Sequence, residues 1–368
     1  MQFFSLREME REAQRQLDPA VYDYFAGGAD DEITVRANMA AFASIGLLPR
    51  VLRGAGPAKL ETEILGHQIS MPIVIGPTAF HKLAHPAGER ATGSAAAAAG
   101  TIMIVSMAST VAIEEVAAAA RSTAGGKSSL WFQIYIQPDR DFTECLVRRA
   151  EAAGCSAVVV TVDSPTFGGR SRDLRNGFHD LPSGMCCENL RESVNGVGLG
   201  KVRPIVFSPG LSWNDIEWLR QMTELKIVLK GIVHPEDAKL AVRHGADAVL
   251  VSNHGGRQLD TVPATINLLH AIADVVDGRI PLLLDGGIRR GTDVLKALAL
   301  GADAVVIGRP VLWGLALAGK AGVEQVLEML RSELDRAMTL CGCSSVRDLT
   351  PDLLQFRPAE EPCTAGQF

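Results

Sequence analysis

The chain has 368 residues, 47% of them hydrophobic and 21% charged, a balance that belongs to folded globular proteins and excludes disordered and fibrous classes. Its length suits one large α/β domain. A formal net charge of −6 gives no electrostatic basis for binding nucleic acid or an anionic membrane.

The opening MQFFSLREMEREAQRQ is charged almost at once and lacks the apolar core of a signal peptide. No apolar run approaches bilayer length, and the ending PCTAGQF is not a peroxisomal S-K-L address. A cytoplasmic protein without a membrane partner is expected. The seven cysteines are odd in number, and Cys341-x-Cys343 has no second pair at zinc-ligand spacing. Reduced thiols and no metal site are expected.

Residues 1–50 read as helices, with Pro19 opening PAVYDYFAGGADDE, and should cap one end of the fold. From about residue 70, short Val/Ile/Leu runs alternate with Ala-rich helical stretches. The predicted strands are PIVIGP (72–77), IMIVSM (102–107), LWFQIYI (130–136), AVVVTVD (157–163), KIVLKGI (226–232), AVLVSN (248–253), PLLLDGG (281–287) and AVVIGRP (304–310). Near-continuous apolar strands are those of a parallel sheet covered on both faces. Alternation with helices such as 89–100, 141–154, 235–246 and 292–302 makes βαβ units. Eight units predict a (β/α)8 TIM barrel over 70–345. A doubly wound sheet is the alternative, weakened by the absence of G-x-G-x-x-G after the first strand. Residues 164–211, rich in Gly, Pro and Ser, read as a long lid loop; GVGLGK (196–201) within it has no preceding strand and is read as lid, not P-loop. The whole of 1–368 is expected to be a single domain.

Barrel active sites lie at the C-terminal strand ends, and every predicted strand here ends in polar or charged groups. Pro77, Thr78 and Ala79 follow the first strand, and Ser106 ends the second. Gln133 and Tyr135 end the third, Thr161 and Asp163 the fourth, and Lys230 lies on the fifth. The sixth ends in Ser252, His254 and Arg257, the seventh in Asp285, Gly286, Gly287 and Arg289, and the eighth in Gly308 and Arg309. Glycine amides, a helix start and arginine forks at strands seven and eight make a phosphate cradle. Lys230, buried at the barrel mouth, requires an anionic cofactor or an ion pair with Asp285 or Asp163. His254 beside Asp163, with Arg257 and Arg170 near, reads as a base facing a small carboxylic acid.

This constellation resembles the FMN-dependent α-hydroxy-acid oxidase/dehydrogenase family, which includes glycolate and lactate oxidases. The likeness runs from VYDYFAGGADDE (21–32) through MPIVIGPTAFHKLAHPAGE (71–89), TVDSPTFGGRSRDLRNGF (161–178) and LKGI (229–232). It continues through SNHGGRQLD (252–260) and 282–316, which opens LLLDGGIRRGTDV. The resemblance implies FMN against Pro77, Thr78 and Ala79, contacted by Ser106, Gln133 and Thr161, with Lys230 at the pyrimidine edge. It implies Ser252, Asp285 and Gly286 along the flavin and its ribityl chain, and Gly287, Arg289, Gly308 and Arg309 at the phosphate. Tyr24, Tyr135, Arg170 and Arg257 would bind substrate, and His254, oriented by Asp163, would be the base. The implied reaction oxidises an L-2-hydroxy acid to a 2-keto acid with dioxygen as acceptor; the alternatives are a dehydrogenase of the same family passing electrons to a quinone or cytochrome, or a mandelate-type aromatic 2-hydroxy-acid oxidase. A homotetramer is the family habit. Where glycolate oxidases carry tryptophan this chain has Ala108, which should enlarge the pocket that Phe80 and Phe167 line. The lid lacks the insert by which membrane-bound relatives attach. A non-redox FMN barrel such as an isopentenyl-diphosphate isomerase is the competing class, opposed by Tyr24, His254 and Arg257 together.

Overall fold

The computed structural model describes residues 3–54, 56–125, 129–192 and 200–356. Its centre is a closed parallel barrel of β1 (Ile73–Ile75), β2 (Ile102–Ser106), β3 (Ser129–Ile134), β4 (Ala157–Thr161), β5 (Lys226–Ile232), β6 (Ala248–Val251), β7 (Leu282–Asp285) and β8 (Ala304–Ile307), with β8 returning to β1. All eight predicted strands are present, and the doubly wound alternative is excluded. Several end two or more residues early, because their polar ends leave the ladder: Gly286 and Gly287 adopt φ of +96° and +88°, which a pleated strand cannot contain.

Side chains alternate across a strand, and this alternation builds the site. Val74, Ile104, Trp131, Val159, Val228, Leu250, Leu283 and Val306 fill the barrel interior as a dry cluster. Two residues further along each strand, on the same inward face, stand Gly76, Ser106, Gln133, Thr161, Lys230, Ser252, Asp285 and Gly308. The top interior layer is thus polar or bare, laid on an apolar column. The outward residues pack under the surrounding helices in a second, larger cluster.

The bottom is closed by a hairpin of Thr62–Ile64 and His67–Ile69, whose Ile64 and Ile69 join the interior cluster. Nothing in the sequence reading foresaw this stopper. Three cap helices precede it, α1 (Leu6–Gln16), α2 (Pro19–Ala26) and α3 (Ile33–Ala43). The Asp18 carboxylate accepts from Ala20 N–H at the start of α2, with Pro19 in the first turn, a favoured N-terminus. Beyond the barrel, Leu354–Phe356 pairs antiparallel with Ile45–Leu47, tying the C-terminal part to the cap.

The lid is more ordered than expected. It contains a short helix, Ser171–Arg175, and a 3-10 turn, Glu188–Leu190. Arg172 binds Asp23 at 3.0 Å and Glu32 at 2.6 Å on the cap. Fully buried Asn189 donates to the Ser106 carbonyl at 3.2 Å and accepts from Ile113 N–H at 2.8 Å. Most of GVGLGK lies outside the described residues.

Candidate active site

A cleft opens at the C-terminal end of the barrel, floored by seven of the eight residues in the polar layer. Ser106 Oγ donates to Gln133 Oε1 at 3.0 Å, and Gln133 Nε2 donates to Thr161 Oγ1 at 3.0 Å. This chain spans three strands and fixes which side of each group faces the cleft. Pro77, Thr78 and Ala79 form one wall, with Thr78 Oγ1 held 2.6 Å from Nε2 of buried His81.

Ser252 is the exception. Its side chain is fully buried, donating to Asp285 Oδ2 at 2.9 Å and accepting from His254 N–H at 3.1 Å. It braces Asp285 and the His254 turn from beneath the cleft. From there the backbone of His254, Gly255 and Gly256 runs through three left-handed residues, with φ of +58°, +62° and +75°. Such a run is costly without glycine, and it swings the imidazole into the cleft.

His254 Nδ1 lies 2.8 Å from Asp163 Oδ1. Ser164 Oγ donates to the same oxygen at 2.8 Å, and Lys230 Nζ is 3.9 Å from Oδ2. Burial holds the imidazole down at about 4 against the pull of Asp163, so it is neutral at pH 7. Burial alone would raise Asp163, but the His254 and Lys230 charges hold it at about 2. An ionised carboxylate beside a neutral imidazole keeps the proton on Nδ1 and leaves Nε2 bare, which is the state a general base needs.

Arg257 donates through Nη1 to the Tyr24 carbonyl at 2.7 Å and the Gly27 carbonyl at 2.9 Å. Its head also lies 5.1 Å from the Tyr24 ring centroid, while that of Arg170 lies 5.0 Å from Phe167. Burial, then the Arg170 charge, pushes Arg257 down to about 10. Two crowded guanidinium groups on one cleft call for an anion between them. Around them stand Tyr24, Tyr135, Phe80, Phe167, Ile205, Phe207 and Ala108. Burial raises both tyrosine hydroxyls, so they stay protonated donors.

At the opposite end, Gly286, Gly287, Arg289, Gly308 and Arg309 line the cleft. The Arg309 guanidinium donates to the carbonyls of Phe25 at 3.0 Å, Gly255 at 2.9 Å and Gly27 at 2.7 Å, which leaves two of its five N–H groups for a ligand. It pins the cap to the His254 turn while still lining the cleft. Arg289 Nε, in contrast, is buried without a hydrogen-bond partner, as are Lys230 Nζ, Asp285 Oδ1 and Arg170 Nε. Buried polar atoms left without a hydrogen bond in this way are expensive in a protein interior.

Those orphans test the fit of FMN. A cation with amide and hydroxyl groups (Lys230, Gln133, Ser106, Thr161) is followed by a carboxylate, Asp285, and then by an arginine with strand-end glycines. That order matches a polar ring edge, a polyol chain and a phosphate, so the residues fit the group. No cluster that could hold a metal ion occurs among the described residues.

Ser164, Gln258, Ile205, Phe207 and Leu312 also line the cleft without having been foreseen. Ser164 had a signal in its adjacency to Asp163; Ile205 and Phe207 arrive on the returning lid and had none.

The model of the FMN-dependent dehydrogenase family matches residues 13–356. The chain is 46% identical to 2-hydroxyacid oxidase of Dictyostelium discoideum, over 96% of this chain and 90% of that protein. It is 45% identical to 2-hydroxyacid oxidase 1 of Homo sapiens, over 96% of each, and 46% identical to glycolate oxidase of Spinacia oleracea, over 95% of each. Among solved structures it superposes with a TM-score of 0.87 on mandelate oxidase with benzoyl-formic acid, at 42% identity, covering 96% of this chain and 98% of that one. No described helix is long and apolar enough to cross a membrane. With a closed eightfold barrel, a cleft fitted to a flavin nucleotide and near-complete matches of this kind, the chain belongs to the FMN-dependent dehydrogenase family.

Proposed function

We propose that the protein oxidises (S)-2-hydroxy acids to 2-keto acids. The observation that carries this reading is a neutral, half-buried imidazole backed by an ionised carboxylate, facing the same cleft as two crowded arginines. Arg170 and Arg257 bind the substrate carboxylate, whose negative charge relieves their mutual repulsion. Tyr24 and Tyr135 donate hydrogen bonds to the substrate oxygens. His254 accepts a proton at Nε2, and Asp163, still ionised, stabilises the imidazolium that results. Lys230, Gln133, Ser106, Thr161 and the backbone of Pro77, Thr78 and Ala79 would hold the flavin ring. Asp285 would hold its chain, and Gly286, Gly287, Arg289 and the Gly308 and Arg309 backbone its phosphate. Bound FMN supplies the two-electron acceptor, and dioxygen, reduced to hydrogen peroxide, takes the electrons on. The oxidase names of the relatives support dioxygen as that acceptor.

The wall around Ala108 supports acids with a large hydrocarbon group. A small side chain stands where bulk would close the cleft, and Phe80, Phe167, Ile205 and Phe207 offer apolar surface. The mandelate oxidase likeness, with ligands such as (S)-2-phenylpropionate in those structures, supports the same preference.

The test is a panel of L- and D-2-hydroxy acids of increasing size. Flavin bleaching without oxygen and peroxide formation in air are followed for each. Only L-acids should bleach the flavin, aromatic or long aliphatic ones best. His254→Ala should retain FMN and lose at least about 100-fold in turnover. If no acid bleaches the flavin the reaction is misassigned, and full turnover in His254→Ala removes the base.

A further inference from the structure

Asn253 and Asp260 belong to the same SNHGGRQLD segment as His254 and Arg257, yet neither lines the cleft. Asn38 lies on α3, in a cap to which only Tyr24 brought a functional expectation. All three are buried, at 5%, 5% and 2% exposure, and they meet. Asn38 Nδ2 donates to Asn253 Oδ1 at 2.9 Å, and Asn253 Nδ2 donates back to Asn38 Oδ1 at 2.9 Å. This reciprocal pair is extended on both sides. Asn253 Nδ2 also donates to the Pro263 carbonyl at 3.2 Å, and Asn38 Oδ1 also accepts from Thr265 N–H at 3.3 Å.

The start of α3 depends on the same segment. Its flanking residue Glu32 sits at φ +58° and supplies no side-chain cap. The orphan donors Ile33 N–H and Thr34 N–H go instead to the Asp260 carboxylate, at 3.1 and 2.8 Å. A helix N-terminus left without such an acceptor is destabilised. Thus α3 is bolted to the His254 segment at its first turn by Asp260 and near its middle by Asn253.

The other side of Asn38 faces the opposite end of the cleft. A Cβ placed on Gly287 would stand 2.0 Å from the Asn38 carbonyl oxygen, and one on Gly286 would stand 3.2 Å from Asn38 Nδ2. Thr265, whose N–H the amide holds, also donates through Oγ1 to the Asp285 carbonyl. The Asn38 side chain therefore braces the residue before His254 and, beside Gly286 and through Thr265, the strand end that carries the phosphate turn, while its backbone closes on Gly287.

We propose that Asn38 and Asn253 form a clamp through which the flavin phosphate turn and the His254 turn are positioned together. Both are positioning residues, and the proposal rests on the roles given above to His254 and to the Gly286–Gly287 turn. Removing either amide leaves its partner buried with unmatched donors and acceptors, a loss the interior does not compensate. With α3 loosened, the phosphate turn and the base lose a shared support.

The experiment uses the full chain as wild type, Asn38→Ala, Asn253→Ala and the double variant. FMN affinity is read from quenching of flavin fluorescence as apoprotein is titrated, and kcat and KM from turnover of the best acid. Each single variant should bind FMN about tenfold more weakly and, when saturated with FMN, show kcat lowered about tenfold with KM little changed. The double variant should be no worse than the poorer single, because the two side chains form one unit. If the alanine variants do not accumulate as folded protein, Asn38→Asp, which keeps the size but removes the donor, carries the same expectation. Variants that melt earlier yet keep wild-type FMN affinity and kcat reduce the pair to a structural tie and overturn the proposal. So do losses that multiply in the double variant. The fluorescence titration needs no turnover, so it decides the clamp even if His254→Ala were to show the base wrongly assigned.

Discussion

Replacing Asp163 by asparagine removes one charge from the site and leaves its shape. In the wild type, Oδ1 lies 2.8 Å from His254 Nδ1, and Oδ2 lies 3.9 Å from Lys230. When His254 takes the substrate proton, the imidazolium gains the attraction of this carboxylate. For unit charges about 4 Å apart at an effective dielectric constant near 20, that attraction is about 4 kcal/mol. Losing it from the transition state slows proton removal by about 10³. The amide has a second effect in the same direction. An asparagine N–H donating to Nδ1 would move the imidazole proton to Nε2 and abolish the base. The assay is anaerobic stopped flow at saturating acid, following flavin bleaching in Asp163→Asn protein whose FMN content has been verified. A reduction rate within about tenfold of wild type would show that the carboxylate contributes little beyond placement, and the reasoning would fail.

Three other outcomes follow from the same geometry. Because burial holds His254 at about 4 in place of its ordinary 6.5, kcat/KM should stay flat from neutral pH down towards 4; an acid limb near 6.5 contradicts a buried base. Stability has the same sign: the unfolded imidazole protonates first, so the melting temperature should fall as pH drops from 6.5 towards 4. Asp163, at about 2 against an ordinary 3.8, adds a further loss below 3.8. Gly287→Ala forces a Cβ to 2.0 Å from the Asn38 carbonyl at a φ of +88°. It should cost at least about 2 kcal/mol, read in melting temperature and FMN content, and a variant as stable as wild type refutes the close approach. Ala108→Trp should abolish turnover of aromatic acids while sparing glycolate, compared as kcat/KM ratios; unchanged ratios mean that Ala108 does not set the size limit.

The eight strands and their polar ends were legible because both depend on local signals. A strand buried on both faces is an apolar run, and a residue that must face a ligand at its end interrupts that run with Ser106, Lys230 or Asp285. The glycines of the His254 turn and the phosphate turn were legible for a similar reason, since few other residues tolerate their backbone. What stayed hidden depends on partners far away in the chain. Asn38 reads as an ordinary helical residue until Asn253 is placed against it. Phe207 reads as lid until the chain returns beside Tyr135. The bonding of Ser252 to Asp285 and of Arg309 to three backbone carbonyls could not be read from neighbours in sequence.

The hairpin stopper has a consequence for traffic. With Ile64 and Ile69 packed under the lower end of an interior already filled by apolar side chains, the barrel offers no rear exit among the described residues. The keto acid must retreat through the mouth by which the hydroxy acid entered. It keeps the carboxylate that Arg170 and Arg257 are proposed to bind, so departing product and arriving substrate contend for one berth.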